Sequence, residues 1–91
     1  MPTLRIPDLM KFYVAGQTEL IVNGSSMAEA ISDLVTRYPA IKLHILDVHG
    51  KPRRYINLFI NQVNIKELDG LETTLADADK IVLLPSISGG L

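Results

Sequence analysis

QTELIVNGSSMAEAISDLVTRYP, residues 17–39, is the stretch on which the fold turns. Thr18, Leu20 and Val22 fall on one side of an extended chain and Glu19 and Ile21 on the other, which predicts a half-buried strand over 17–22. Asn23-Gly24 breaks that alternation. Ser25-Ser26 then supplies an N-cap, and Glu29 stands three residues after Ser26, the spacing of a capping box. Met27, Ala30, Ile31, Leu34 and Val35 recur at helical spacing, so a helix is expected over about 26–37, ended by Pro39. Its apolar stripe has to be covered, and the neighbouring sheet is the candidate.

Working outward, TLRI (3–6) also alternates, with Leu4 and Ile6 on one face, and Pro7 stops it. Residues 8–16 read as a loop ending in Ala15-Gly16, long for a hairpin but compatible with antiparallel pairing of the two strands. After the helix, AIKLHILD (40–47) fits either a second helical turn or an irregular return, and HGKPRR (49–54) is a polar loop. YINLFIN (55–61) is the clearest strand: Ile56, Leu58 and Ile60 face one way, Tyr55, Asn57, Phe59 and Asn61 the other. NQVN (61–64) is turn-like, VNIKEL (63–68) adds a short edge strand, and DGLETTLADAD (69–79) reads as turn, one helical turn around Leu71–Leu75, and turn. KIVLLP (80–85) is the last strand. The order β-β-α-β-(β)-β predicts an α+β domain over 1–85, a mixed sheet of four or five strands packed on one main helix, followed by a flexible tail over 86–91. That arrangement is the ubiquitin-like β-grasp, in which the last strand lies centrally.

Composition narrows the function classes. Ninety-one residues suit one small domain, and an apolar fraction of 47% argues against disorder. Nine Lys/Arg against ten Asp/Glu leave a net charge of −1, so neither nucleic acid nor an anionic membrane is expected as the main partner. With no cysteine, no disulfide and no thiolate metal cluster is possible. No secretory signal pattern or run of roughly 18 apolar residues is evident, and a cytoplasmic location is the expectation.

Catalytic machinery is hard to find. His44 and His49, near Asp47, are five residues apart, a poor spacing for zinc with no third ligand in view. No nucleophile-base arrangement and no phosphate-binding loop pattern stands out, so enzyme activity of this chain alone is not expected. Lys51, Arg53 and Arg54 make the one basic cluster, read first as a solvated loop and second as a docking contact for an acidic partner. Asp69, Glu72, Asp77 and Asp79 fit an acidic surface or simply turns. More telling are Phe59, Val82 and Leu84, apolar residues on strand faces opposite the expected core, which with Ile21 and Tyr55 point to a protein-binding surface.

The chain ends SISGGL (86–91). Pro85 stiffens the exit from the last strand, Ile87 offers one apolar anchor, and Gly89-Gly90 lack a Cβ, which suits a backbone threading a narrow channel toward a reactive centre. Together with NLFINQVNI (57–65) and DGLETTLADADKIVLLPSISGG (69–90), this resembles the ubiquitin-like sulfur-carrier proteins of the ThiS/MoaD family over nearly the whole length, most like the CysO-type carriers of cysteine biosynthesis.

The resemblance implies a cosubstrate rather than a catalyst. A ubiquitin-activating-type enzyme would use ATP to adenylate the carboxylate of Gly90, sulfur would displace AMP to leave a thiocarboxylate, and a synthase would receive the sulfur. That synthase would be cysteine synthase-like or, in the nearest rival reading, the large subunit of molybdopterin synthase; a thiazole-synthesis carrier is a further alternative. No bound cofactor is implied. Gly89 would be the slender neighbour of the reactive end, and Phe59, Val82 and Leu84 would form the docking face. Leu91 departs from the pattern, because family members ready for activation end at Gly-Gly, so a peptidase is expected to remove it. A ubiquitin-like protein modifier and an inert β-grasp interaction module are the alternatives of another class.

Overall fold

The computed structural model describes residues 1–86. Among the described residues five strands form one sheet in the order β2-β1-β5-β3-β4, with β1 at Thr3–Arg5, β2 at Glu19–Ile21, β3 at Ile56–Ile60, β4 at Val63–Asn64 and β5 at Lys80–Pro85. Only β1 and β5 run parallel; β1–β2, β3–β5 and β3–β4 are antiparallel. The last strand therefore sits at the centre, as a β-grasp requires, and the helix α1 at Met27–Arg37 covers one face.

The period-2 pattern sorts residues as read. Leu4, Leu20, Ile56, Leu58, Ile60, Ile81 and Leu83 are buried on the helix side, against Met27, Ala30, Ile31 and Leu34 of α1. The capping box is present in a shifted form. The Glu29 N–H donates to Ser26 Oγ at 3.2 Å, but the Glu29 carboxylate accepts from the N–H and hydroxyl of Ser25 rather than from Ser26. Those Ser25 hydrogen bonds, backbone first, hold the Glu29 carboxyl below its ordinary range. Gly24 lies against the helix start: a Cβ there would stand 2.6 Å from the Ala30 nitrogen.

Four segments differ from or refine the sequence reading. Residues 8–16, expected as a loop, carry a 3-10 turn at Asp8–Val14, because Val14 is fully buried and Met10 and Tyr13 pack beside it. Residues 40–47 resolve into the helical alternative, a 3-10 turn at Pro39–Ile41 and a one-turn helix α2 at Lys42–Ile45, with Ile41 and Ile45 in the core. The edge strand in VNIKEL is only Val63–Asn64, and a 3-10 turn follows at Ile65–Glu67.

The helical turn expected around Leu71–Leu75 is confined to Gly70–Glu72. Thr73 and Leu75 instead bond the helix entry: the Met27 N–H donates to Thr73 O and the Leu75 N–H to Ser25 O, both at 2.9 Å. Free N–H groups at a helix start need acceptors, and this segment supplies one.

The turn between β3 and β4 is Asn61-Gln62, both at positive φ (49° and 77°), the two-residue hairpin geometry whose twist matches the strands. Asn61 also binds the start of β5. Its side-chain oxygen accepts from the Lys80 N–H at 3.0 Å, and its amide donates to Asp79 at 2.9 Å.

Candidate functional site

The face of the sheet turned away from α1 is built by the alternate residues of β3 and β5. Phe59 pairs with Val82, and Asn57 with Leu84, across the antiparallel ladder. Directly paired side chains on one face stand within contact distance, so Phe59, Val82 and Leu84 converge as the alternation predicts. With Gln62 they line a shallow, mainly apolar hollow of about 270 Å³. Phe59 and Val82 are half-buried and Leu84 is 45% exposed. Burying such area against a partner stabilises the contact by about 25 cal/mol per Å² before the costs of association.

The two residues offered as neighbours of this trio fall differently. Ile21 is exposed on β2, but β1 intervenes, so Thr3 and Arg5 stand between it and Val82. Tyr55 lies at the other end, its hydroxyl donating to the His44 carbonyl at 3.3 Å.

Pro7 and Asp8 line a neighbouring hollow that shares Val82 and Leu84. The 3-10 turn that follows leaves Leu9 and Phe12 almost fully exposed. Sequence reasoning missed these two. The signal was the spacing of Met10, Tyr13 and Val14, which turns one side of the segment inward and the other out.

From this face the chain is led toward its end along β3. Pro85 pairs with Ile56, the Ser86 N–H donates to the Tyr55 carbonyl, and Asn57 donates to Ser86 Oγ at 2.6 Å. The direction of departure is thus set by backbone pairing up to Ser86. Ile87, Gly89, Gly90 and Leu91, the tail residues singled out in the sequence, lie outside the described residues.

The other candidates are accounted for by packing and turns. His44 stacks on Tyr13 with ring centroids 4.1 Å apart, while His49 is exposed in the turn after Asp47. Asp47 Oδ1 accepts from the N–H groups of His49 (2.8 Å) and Lys51 (3.1 Å). The Lys51 N–H, against a smaller opposing effect of burial, holds this carboxyl below its ordinary range, helped by His49 and Arg53. Asp79 accepts from the Ala76 N–H at 2.8 Å, a turn role. Among the described residues no three His, Asp or Glu side chains gather as metal ligands, and no helix is long and apolar enough to cross a membrane.

A sheet face with an apolar trio thus stands beside a central last strand, with Gly89-Gly90 a few residues further along the sequence. The ThiS family model matches residues 9–90. The chain belongs to the ThiS family.

Among its relatives is the sulfur carrier protein CysO of Mycobacterium tuberculosis, 31% identical over 90 residues and 97% of each chain. In three dimensions this family member superimposes on a chain of the Amycolatopsis orientalis BexX/CysO complex with a TM-score of 0.88 at 29% identity, covering 99% of this chain and 100% of that one. Small archaeal modifier protein 1 of Methanosarcina acetivorans gives a TM-score of 0.86 at 33% identity, over 98% of this chain and 95% of the other.

Proposed function

We propose that this protein is a sulfur carrier of the CysO type, whose Gly90 carboxylate is converted to a thiocarboxylate and spent in cysteine biosynthesis. The observation that carries this reading is the near full-length likeness to CysO, in sequence and in fold, in a chain that retains Gly89-Gly90.

Two steps load the sulfur. A ubiquitin-activating-type enzyme joins the Gly90 carboxylate oxygen to the α-phosphorus of ATP, releasing pyrophosphate. Sulfide or a protein persulfide then attacks the acyl carbon, and AMP departs with the bonding pair. With a persulfide, a second thiol must reduce the resulting acyl disulfide to release the thiocarboxylate.

The carrier supplies position rather than acid-base groups. Phe59, Val82 and Leu84 seat the sheet on the partner, and strand β5, held on both sides, aims the tail into the active site. Glycine at 89 and 90 leaves room for the backbone beside the reacting atoms. The sulfur-accepting synthase uses the same face in its turn, so loading and delivery are mutually exclusive encounters.

The carboxylate at Gly90 is free only once the peptide bond to Leu91 is cut, so a peptidase acts before activation. The test is mass spectrometry of two forms, one carrying Leu91 and one ending at Gly90, each incubated with the cognate activating enzyme, ATP and sulfide. The form ending at Gly90 should gain the mass difference of one oxygen exchanged for one sulfur. If it gains nothing, the carrier reading fails. If the form with Leu91 gains that mass while keeping leucine, trimming is unnecessary.

The likeness to small archaeal modifier protein 1 favours a second reading, in which the activated Gly90 is joined to protein lysines. Lysine isopeptide adducts in immunoprecipitates of the tagged protein would support it.

A further inference from the structure

On the helix side of the sheet, at its β3–β4 end, a groove of about 280 Å³ opens between the 51–54 loop and the 3-10 turns over 65–72. Its floor is the edge of the core, Ile56 and Ile65, with half-buried Leu71 and Pro52 as walls. Its rim is basic: Lys51, Arg53, Arg54 and Lys66 all line it, and no carboxylate of the described residues does. These are four of the nine Lys and Arg residues in a chain of net charge −1, so the positive charge is a local concentration rather than an overall bias. The ion pairs of the described residues, Met1–Asp77 and Arg37–Asp33, lie elsewhere. The Arg53 Nε–H donates to the Leu43 carbonyl at 2.6 Å, which fixes that side chain at the rim.

An apolar slot ringed by cations that form no ion pair among the described residues is complementary to an apolar group flanked by negative charge. We infer that this groove receives an acidic protein segment carrying one bulky apolar side chain. A protein segment fits better than a small metabolite for two reasons. Lys51, Arg54 and Lys66 are exposed to solvent rather than buried around a ligand, and at about 280 Å³ the slot falls just below the range of sites that engulf a small molecule.

The position gives the groove its use. Ile56 on its floor pairs with Pro85, so a segment docked here is held beside the start of the tail, on the opposite face from Phe59, Val82 and Leu84. A partner acting on the tail can thus grip the domain without competing for the apolar sheet face. This use rests on the carrier reading; the binding itself does not.

The test titrates the full-length, isotope-labelled protein with an acetylated Glu-Asp-Phe-Asp-Glu peptide and follows backbone amide resonances. Shifts should concentrate on Ile56, Ile65 and Leu71 and shrink with added salt. Replacing the phenylalanine by serine, or the acids by their amides, should weaken binding. Arg54→Glu with Lys66→Glu should weaken it about tenfold, because each exposed attraction becomes a repulsion; these side chains point to solvent, so the fold is kept.

Four outcomes overturn the inference: shifts on Phe59, Val82 and Leu84 instead, no shifts at all, phenylpropionate binding as tightly as the peptide, or groove shifts that appear on raising protein concentration alone, which would make the occupant a second copy. No activating enzyme, ATP or sulfide is present, so failure here leaves thiocarboxylate formation untouched. A chain that never takes up sulfur can still bind the peptide.

Discussion

Leu83 and Leu84 are adjacent in β5, chemically identical and on opposite faces of the sheet. Truncating each to alanine should therefore separate folding from docking. Leu83 is 0% exposed in the central strand, with β1 and β3 on either side, so no neighbour can easily close over a cavity there. Leu→Ala at such a site costs about 2–5 kcal/mol, and a fully enclosed position belongs near 3–4. A chain of this size has about 5–14 kcal/mol of stability, so the change removes a large part of it.

Leu84 is 45% exposed, loses roughly half the transfer free energy and leaves an open dent rather than a cavity. Its cost should be about 1 kcal/mol. At about 4–8 °C per kcal/mol, Leu83→Ala should lower Tm by roughly 12–30 °C and Leu84→Ala by roughly 4–8 °C.

The second assay is association with the cognate activating enzyme, measured well below both melting temperatures. Leu84→Ala should weaken it about tenfold, as truncation of a central apolar contact does, and Leu83→Ala hardly at all. Equal Tm losses would refute the assignment of the two faces. Unchanged association of Leu84→Ala, with Phe59→Ala also unchanged, would refute the docking surface.

Gly24→Ala places its methyl 2.6 Å from the Ala30 nitrogen and 2.9 Å from Glu29 backbone carbon, so the helix start must move. It should cost about 1–3 kcal/mol or more, whereas Gly50→Ala, with open space around it and a φ of +77°, should cost only about 1 from backbone strain; urea unfolding distinguishes the two. Because folding lowers the Glu29 pKa, its contribution is fully present above the ordinary glutamate value, about 4.3, and is lost as pH falls through the lower folded value. Urea midpoints of wild type and Glu29→Gln should accordingly differ near neutral pH and converge under strongly acid conditions; a constant gap would show that the Ser25–Glu29 bonds do not carry the effect.

Much of this fold was legible because its signals are local. Alternation in TLRI, TELIV and INLFI assigns each side chain to a face whatever the partner strand. Ser26 and Glu29 mark a helix start within one turn of chain. The 3-10 turn at Asp8–Val14 and the extended path of Thr73–Leu75 were not legible in the same way. The first exists because Val14 has a core to enter, and the second because the N-terminus of α1 lies there to be bonded. Neither cause is present in the segment itself.

The candidate site divides along the same line. The sequence alone determined which residues of β3 and β5 leave the core, since a period of two admits no other assignment, and it set Gly89-Gly90 a few residues beyond the last strand along the chain. Alternation within the strands did not by itself choose their neighbours; the central place of β5 followed only from reading the element order as a β-grasp, and the pairing with β1 and β3 bears it out. Strand neighbours are chosen by long-range pairing, and only that pairing brings Phe59 onto Val82 while placing Thr3 and Arg5 between Val82 and Ile21. The same is true of the basic groove. Lys51, Arg53 and Arg54 look like a solvated loop in one dimension, and become the rim of an apolar slot only when β3 and the turns over 65–72 fold beneath them.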